Sequence, residues 1–455
     1  MSTIETLREQ ITQEGIDFID LRVVDLIGRW RHVTIPAERF DDTLTREGIA
    51  FDGSNLGYAG VEGSDLILRP DLQTGTILRH ENERFLSMIC NIHLPKSGER
   101  FADDPRAVAS RAENHLCEAG IADSIQMSPE FEFYVFCDAQ FRSAGLEAAY
   151  ALKPLNENVE RSYYHVCPPE DRLFALRNRI CKRLADHGVN VKYHHHEVGA
   201  YGQIEIEIGF SGLREAADIT MTLKNTARSL AAESGWTATF LPKPIYAENG
   251  NGMHVHQFLQ RGDASLFEEQ GGLSDLARCY IGGLLTHGPS LCALTNPSTN
   301  SYRRLVPGYE APVWFAFGEA NRSAAIRIPR YASSRERRIE LRTADATCNP
   351  YLAYAAMVMA GIDGISRNLD AAELGLGPHN QNLYDTPAEA LSNLKTAPAN
   401  LEEALLRLES DHEYLLAGGV FSEGQIEDWI RIKRHEAQEV RNRPHPYEYS
   451  LYFDL

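Results

Sequence analysis

P-E-F-E-F-Y-V-F at 129–136 and Q-I-E-I-E-I at 203–208 alternate polar and apolar residues with a period of two. In an extended strand that period sends successive side chains to opposite faces. Glu130, Glu132 and Tyr134 therefore share one face of the first segment, backed by Phe131, Phe133 and Val135. Gln203, Glu205 and Glu207 share a face of the second, backed by Ile204, Ile206 and Ile208. Carboxylates two positions apart on such a face stand about 6 to 7 Å from each other. Taken singly, each segment also fits an ordinary half-buried strand whose glutamates face water. The segment V-K-Y-H-H-H-E at 191–197, followed by G-A-Y-G, changes the weighting, because Glu197 and Glu205 then fall on facing arms of a hairpin. A carboxylate group of this kind repels itself without cations. Hard oxygen ligands, no cysteine and one imidazole from His254 or His256 favour Mg2+ or Mn2+ over zinc. His194, His195 and His196 alternate sides of their strand and do not form a helical H-E-x-x-H, so they read as structural.

Outward from these strands, residues 2–14 have helical spacing, and 17–35 turn to β-branched, alternating text that predicts a hairpin. Strand-like runs near 75–79 and 85–92 precede a capped helix beginning at 103. A domain boundary is expected near 105, giving regions 1–105 and 106–455. The second mixes short strands with helical text at 169–187, 213–234 and 274–288, an α+β pattern, and ends in helices near 351–362, 401–408 and 422–434. No repeat or long linker separates the regions, so they are expected to pack as a unit.

The segment P-K-P-I-Y-A-E-N-G-N-G-M-H-V-H at 242–256 reads as a Gly-Asn turn entering a strand that aims His254 and His256 at one face, although N-G also marks plain hairpins. From Ser301 to Arg342 there are nine arginines, no lysine and four acids. The planar guanidinium fork suits phosphate and carboxylate oxygens, while a surface ion-pair network is the plainer alternative. Carboxylates for two metals beside an arginine field point to phosphoryl transfer. Neither a G-x-x-x-x-G-K-[ST] loop nor a kinase H-R-D set occurs, so the common nucleotide-binding folds are not indicated.

The 455 residues, 43% of them hydrophobic, supply a large core, and a net charge of −19 disfavours nucleic acid and anionic membrane surfaces as partners. Eight scattered cysteines without a C-x-x-C pair read as reduced thiols, and no apolar run reaches membrane-spanning length. A cytoplasmic location is expected.

F-D-G-S at 51–54, S-D-L-I-L-R-P-D at 64–71, E-F-E-F, H-H-H-E-V with G-Q-x-E and N-G-N-G-M-H-V-H carry a resemblance, as do N-S-Y-R-R-L-V-P-G-Y-E-A-P at 300–312, N-R-S-A-A-I-R-I-P, R-R-I-E-L-R and the tail H-P-Y-E-Y-S-L-Y-F-D-L. In order and spacing over nearly the whole chain, the sequence resembles type I glutamine synthetases. That resemblance implies a small N-terminal β-grasp domain before a large catalytic domain. It also implies ATP-dependent ligation of ammonia to the γ-carboxylate of glutamate through γ-glutamyl phosphate, and a dodecamer of two stacked hexamers with active sites shared between subunits. Glu132, Glu197 and Glu205 then hold one metal, and Glu130, His254 and Glu340 the other. Arg304, Arg342, Asn249 and Gly250 hold glutamate, while Arg322, Arg327, Arg338 and His256 hold phosphate. Asp52 deprotonates ammonium, Glu310 lies on a closing flap, and Tyr384 matches a tyrosine that some members carry as an adenylylation site.

The pattern loosens on the amine side. Asn55 replaces a second serine, the stretch from Asp52 to Asp65 is one residue shorter than usual, and Tyr164 lies in S-Y-Y-H instead of G-G-Y-F. Ala320 and Phe258 replace a common arginine and serine. An organic amine in place of ammonia is therefore one alternative, and an inactive regulatory homologue another.

Overall fold

The computed structural model describes residues 3–58, 63–80, 83–156, 163–307 and 311–455. Helix α1 (Ile4–Glu14) starts at Thr3, whose hydroxyl accepts from the Thr6 N–H, and ends at Gly15 with φ 62°, a conformation that costs glycine nothing. Six strands follow: β1 (Phe18–Val24), β2 (Trp30–Pro36), β3 (Ile49–Asp52), β4 (Asp65–Pro70), β5 (Thr76–His80) and β6 (Glu83–His93). They form one sheet in the order β2-β1-β6-β4-β3, with β5 also on β6 and helix α2 (Asp42–Glu47) inserted before β3. Only β1 and β6 run parallel. This is the β-grasp domain. The hairpin and the two runs expected from the sequence correspond to β1–β2, β5 and β6. Strands β3 and β4 lay inside motif text and carried no separate strand signal.

Helix α3 (Pro105–Glu118), with Asp104 as its cap, leads into the second sheet. This ten-stranded sheet is organised around β7 (Ser124–Ala144), which pairs with β8 (Glu147–Pro154), β10 (Gln203–Ile208), β11 (Thr237–Thr239) and β12 (Val255–Arg261). β9 (Val191–His196) extends the sheet beyond β10, while Ile339–Leu341, Ala324–Ile328 and Trp314–Glu319 extend it beyond β12. Phe131, Phe133, Val135, Ile204, Ile206 and Ile208 all sit in the core beneath the sheet, as the alternation predicts. Helices α4 (Phe174–Asp186) and α5 (Leu213–Glu233) flank it, and the apolar helix Pro350–Ser366 is buried along most of its length.

The domains are joined by a buried guanidinium. Arg106 donates to Asp218 (2.9 Å) and Asn91 (2.6 Å) and reaches Asp71 at 2.9 Å, so one catalytic-domain side chain grips the β-grasp strand region and α5 together. Asn349 adds a second tie, its amide donating to the Leu26 carbonyl at 3.0 Å.

A further clamp lies among the C-terminal helices. Buried His287 stacks on Tyr414 and bonds Asp411 through Nδ1 (2.9 Å) and Asp363 through Nε2 (2.8 Å). A neutral imidazole has one N–H and cannot donate to both carboxylates. Burial opposes the imidazolium charge, but the bonds to Asp411 and Asp363 outweigh it and raise the pKa above 6.5. The clamp's stabilisation is therefore complete below the unfolded value of 6.5 and fades as pH rises through the higher folded value. His287→Asn should lower stability by about 1–3 kcal/mol at pH 6 and by less at pH 9. Equal losses of melting temperature at both pH values would refute a charged clamp.

Candidate active site

Strand register assembles the acidic wall. Glu132 of β7 lies opposite Glu205 of β10, and Glu205 opposite His195 of β9. One step along, Glu130 faces Glu207 and Glu207 faces Tyr193. On the other side of β7, His256 of β12 lies opposite both Ser128 and Glu340, and Glu340 opposite Arg327. Directly opposed residues point to the same face of a sheet. The acids, histidines and arginines thus share one wall.

That wall lines a cavity of about 250 Å³. Glu130, Glu132, Glu197, Glu205, His254 and Glu340 all border it. So do Asn249, Gly250, Arg304, Arg322, Arg327, Arg342 and Tyr164. His256 and Arg338 stand just behind, with Arg338 Nε donating to His256 Nδ1 at 3.4 Å and its guanidinium lying over the Phe210 and Tyr331 rings. Within one chain Asp52 and Asn55 stay outside the cavity. Asp52 accepts from the Ser54 hydroxyl (2.7 Å) and the Asn55 amide (2.9 Å), so the unusual Asn55 supports the carboxylate. The Ser54 bonds hold the exposed Asp52 carboxyl below its ordinary range. Tyr384 also lies elsewhere, its hydroxyl donating to the Ala311 carbonyl at 2.6 Å. Glu310 falls outside the described residues.

The two halves of the wall differ in charge balance. Burial opposes ionisation of Glu130, but His256 Nε2 at 2.7 Å and His254 Nδ1 at 3.2 Å hold it well below the usual carboxylate range. Glu340 is likewise opposed by burial yet drawn down to about 2, chiefly by Arg342, and it also accepts from Arg327. Glu205 behaves oppositely. Burial first, then Glu130, Glu132 and Glu197, push its carboxyl well above the ordinary range. Glu132 receives the Gly252 N–H at 2.7 Å, and Glu197 receives the Val198 N–H. The half built from Glu132, Glu197 and Glu205 therefore gathers carboxylates, and among the described residues no arginine bonds Glu132 or Glu205, a donor set suited to a hard divalent cation.

On this wall two triads bring ligand atoms within 4.8 Å of one another: Glu130 with His256 and Glu340, and His195 with Glu197 and Glu205. His195, expected to be structural, also borders the cavity. Its Nδ1 lies 3.1 Å from the His196 carbonyl, which accepts its proton and turns Nε2 toward Glu205 at 3.7 Å. Period two from Glu197 puts His195 and Tyr193 on its face of the strand. Gln203 also borders the cavity, two positions from Glu205, and Tyr331 borders it with no sequence signal.

Glycine permits the closest approach. A Cβ on Gly252 would stand 2.5 Å from the Arg304 guanidinium and 2.9 Å from His254 Nε2. Buried Arg304 is aimed by donating to the carbonyls of Thr343 (2.8 Å) and Arg342 (3.1 Å).

The family model of the glutamine synthetase catalytic domain matches residues 102–452, and that of the glutamine synthetase β-grasp domain matches residues 15–95. The chain belongs to the glutamine synthetase family. The glutamine synthetase of Streptomyces filamentosus is 42% identical over 471 residues, covering 99% of each chain. That of Aquifex aeolicus is 42% identical over 469 residues, covering 100% of this chain and 99% of the relative. The cryo-EM structure of Plasmodium falciparum glutamine synthetase shares the fold, with a TM-score of 0.88 at 24% identity over 99% of both chains. A protein named GmaS, solved with ADP, matches at a TM-score of 0.82 and 25% identity over the full length of both. As a glutamine synthetase family member, the protein is an ATP-dependent ligase, and the family uses divalent metal.

Charge repulsion in the Glu205 half yields a sign-specific expectation. Mg2+ or Mn2+ should raise the melting temperature, since an ion bound only to the folded state adds about 2.7 kcal/mol at a hundredfold excess over its Kd. Glu205→Gln should raise the melting temperature in chelator yet shrink the metal-induced rise. Scanning fluorimetry with EDTA and Mn2+ tests both; an undiminished rise in the variant would count against this cluster as a cation site.

Proposed function

We propose that this ligase joins ammonia to the γ-carboxylate of glutamate, with ATP as the activating substrate. The observation that carries the proposal is the single wall on which a carboxylate–imidazole face adjoins Arg304, Arg327 and Arg342 in one cavity. Glu132, Glu197 and Glu205 hold one divalent cation, and Glu130, His254 and Glu340 the other. When bound, these cations, Mg2+ or Mn2+, neutralise phosphate oxygens during transfer. Arg304 and Arg342, with Asn249 and Gly250, hold glutamate so that a γ-carboxylate oxygen faces the terminal phosphorus of ATP. Arg322, Arg327, Arg338 and His256 take up the charge of the moving phosphoryl group. ADP leaves, and the acyl phosphate is then attacked at its carbonyl carbon by ammonia, which displaces phosphate. Ammonium has no lone pair, and Asp52 of the partner subunit removes its proton. Glu310 and its flap keep water from the acyl phosphate.

The same reading divides the chain at residues 1–105 and 106–455, assembles it as a dodecamer of two hexameric rings, and places it in the cytoplasm. Exclusion of Asp52 from its own chain's cavity supports shared sites. Mixing Asp52→Asn and Glu132→Gln subunits, each inactive alone, should restore part of the activity; persistent inactivity of verified mixed oligomers would refute sharing.

An organic amine as acceptor is favoured by one observation. Tyr164 stacks on His165 with centroids 4.1 Å apart and meets His195 edge-on at 5.4 Å, giving aromatic surface beside the carboxylates that suits an alkyl or aryl ammonium. Phosphate release from ATP with glutamate separates the two readings. A kcat/KM for ammonium about tenfold or more above those for methylamine, ethanolamine, putrescine and aniline is the expected result; a faster organic amine would reassign the acceptor.

A further inference from the structure

Gln203 is buried, at 1% exposure, and every hydrogen-bonding group of its carboxamide nearest the cavity is engaged. Its Oε1 accepts the Gly199 N–H at 2.9 Å. Its Nε2 donates to the Gly250 carbonyl at 2.9 Å and to Asn251 Oδ1 at 3.1 Å. The Gly199 N–H can only donate and the Gly250 carbonyl can only accept, so the amide orientation is fixed by its partners. The Gln203 backbone carbonyl also accepts the Glu197 N–H at 2.9 Å.

One residue thus ties two segments with different tasks. On one side lies the 197–199 loop carrying Glu197; on the other lies the 249–251 turn. Both segments are tightly enclosed. A Cβ on Gly199 would meet the Tyr134 hydroxyl at 2.1 Å and Gln203 Oε1 at 2.5 Å, and one on Gly250 would meet the Pro242 carbonyl at 2.5 Å. Tyr134, opposite Gln203 in the strand register, adds a bond of 2.8 Å to the Asn249 carbonyl. A displacement of either segment must break the carboxamide bridge or move the other segment with it.

We propose that Gln203 is a positioning residue that couples metal binding at Glu197 to glutamate binding at Asn249 and Gly250. The proposal rests on the assignment of those two subsites made above. Fixing Glu197 on a cation draws the 249–251 turn into its glutamate-holding position through Gln203, and by linkage glutamate tightens the cation equally. Glutamine supplies both an acceptor for the Gly199 N–H and donors for Gly250 and Asn251, while the Glu248 carboxylate, which accepts the Ala200 N–H, is a separate tie that the Gln203 variants leave in place. Glutamate at 203 keeps the acceptor for Gly199 but sets a carboxylate oxygen against the Gly250 carbonyl, and methionine matches the length while removing both bonds.

The test measures free Mn2+ by electron paramagnetic resonance on the full-length oligomer, with and without saturating glutamate, for wild type, Gln203→Glu and Gln203→Met. Glutamate should tighten Mn2+ about tenfold in wild type, within the usual range for coupled sites. In folded variants, with melting curves as the check, that enhancement should fall below about twofold while Mn2+ affinity without glutamate changes little. Tyr134→Phe, which loosens only the Asn249 side, should weaken glutamate binding and keep the enhancement. Enhancement retained in either folded Gln203 variant overturns the coupling role, as does loss of Mn2+ binding before glutamate is added, which marks Gln203 as plain structural support. Absence of any glutamate effect in wild type would instead bring down the glutamate subsite itself, and the coupling with it.

Discussion

Mutual repulsion among buried carboxylates is the constraint around which the catalytic domain is arranged. Glu130, Glu132, Glu197, Glu205 and Glu340 converge on one sheet face, where water is scarce and like charges act at short range. Such a set persists only if the backbone has no alternative. The strands that carry it have backs made of Phe131, Phe133, Ile204, Ile206 and Ile208, and a one-residue slip would send the acids into that core. Hydrophobic burial on one face thus holds an electrostatic load on the other.

Compensation is uneven, and the unevenness has a chemical use. Arginine and histidine settle the charge of Glu130 and Glu340, whereas Glu205 sits high because it is buried, and then because its neighbours are acids. A wall with both characters meets two kinds of visitor: anions at the guanidinium end and hard cations at the acidic end. Arg304 and Arg342 are themselves buried and oriented by backbone carbonyls or by Glu340, so little ordering is left for the moment of binding.

Much of this was legible in the sequence. Period-two alternation alone identified the acidic faces of β7 and β10 and their apolar backs, and the β9–β10 hairpin brought Glu197 toward Glu205. The helices expected at 213–234, 274–288 and 401–408 emerged within two residues of those limits, whereas the one expected from 169 begins at Phe174 and the one expected to end at 434 continues to Arg441. What stayed hidden depends on contacts between distant segments. Arg106 bridging Asp71, Asn91 and Asp218 cannot be read from spacing, because its partners lie up to 112 residues away. Alternation puts His195 on the face of Glu197, but its approach to Glu205 depends on the β9–β10 register, which the sequence does not print. The weak β3 and β4 are short strands whose loops carry the motif, and Asp52, at the end of β3, has a place in the cavity only if another copy supplies it.

The length of β7 has a consequence for how this chain tolerates change over evolutionary time. A single strand of 21 residues carries Glu130 and Glu132 near its middle and runs on to the exposed turn around Gly145. The separation of those two carboxylates is therefore set by the pleat, a fixed ruler, and not by flexible side chains. Inserting or deleting one residue between 128 and 134 would invert every position beyond it, exchanging acid for phenylalanine at the cavity wall. The same event near Gly145 would alter only the reach of a hairpin tip. Length variation in descendants of this gene should accordingly collect at the distal end of the strand and be purged from its centre.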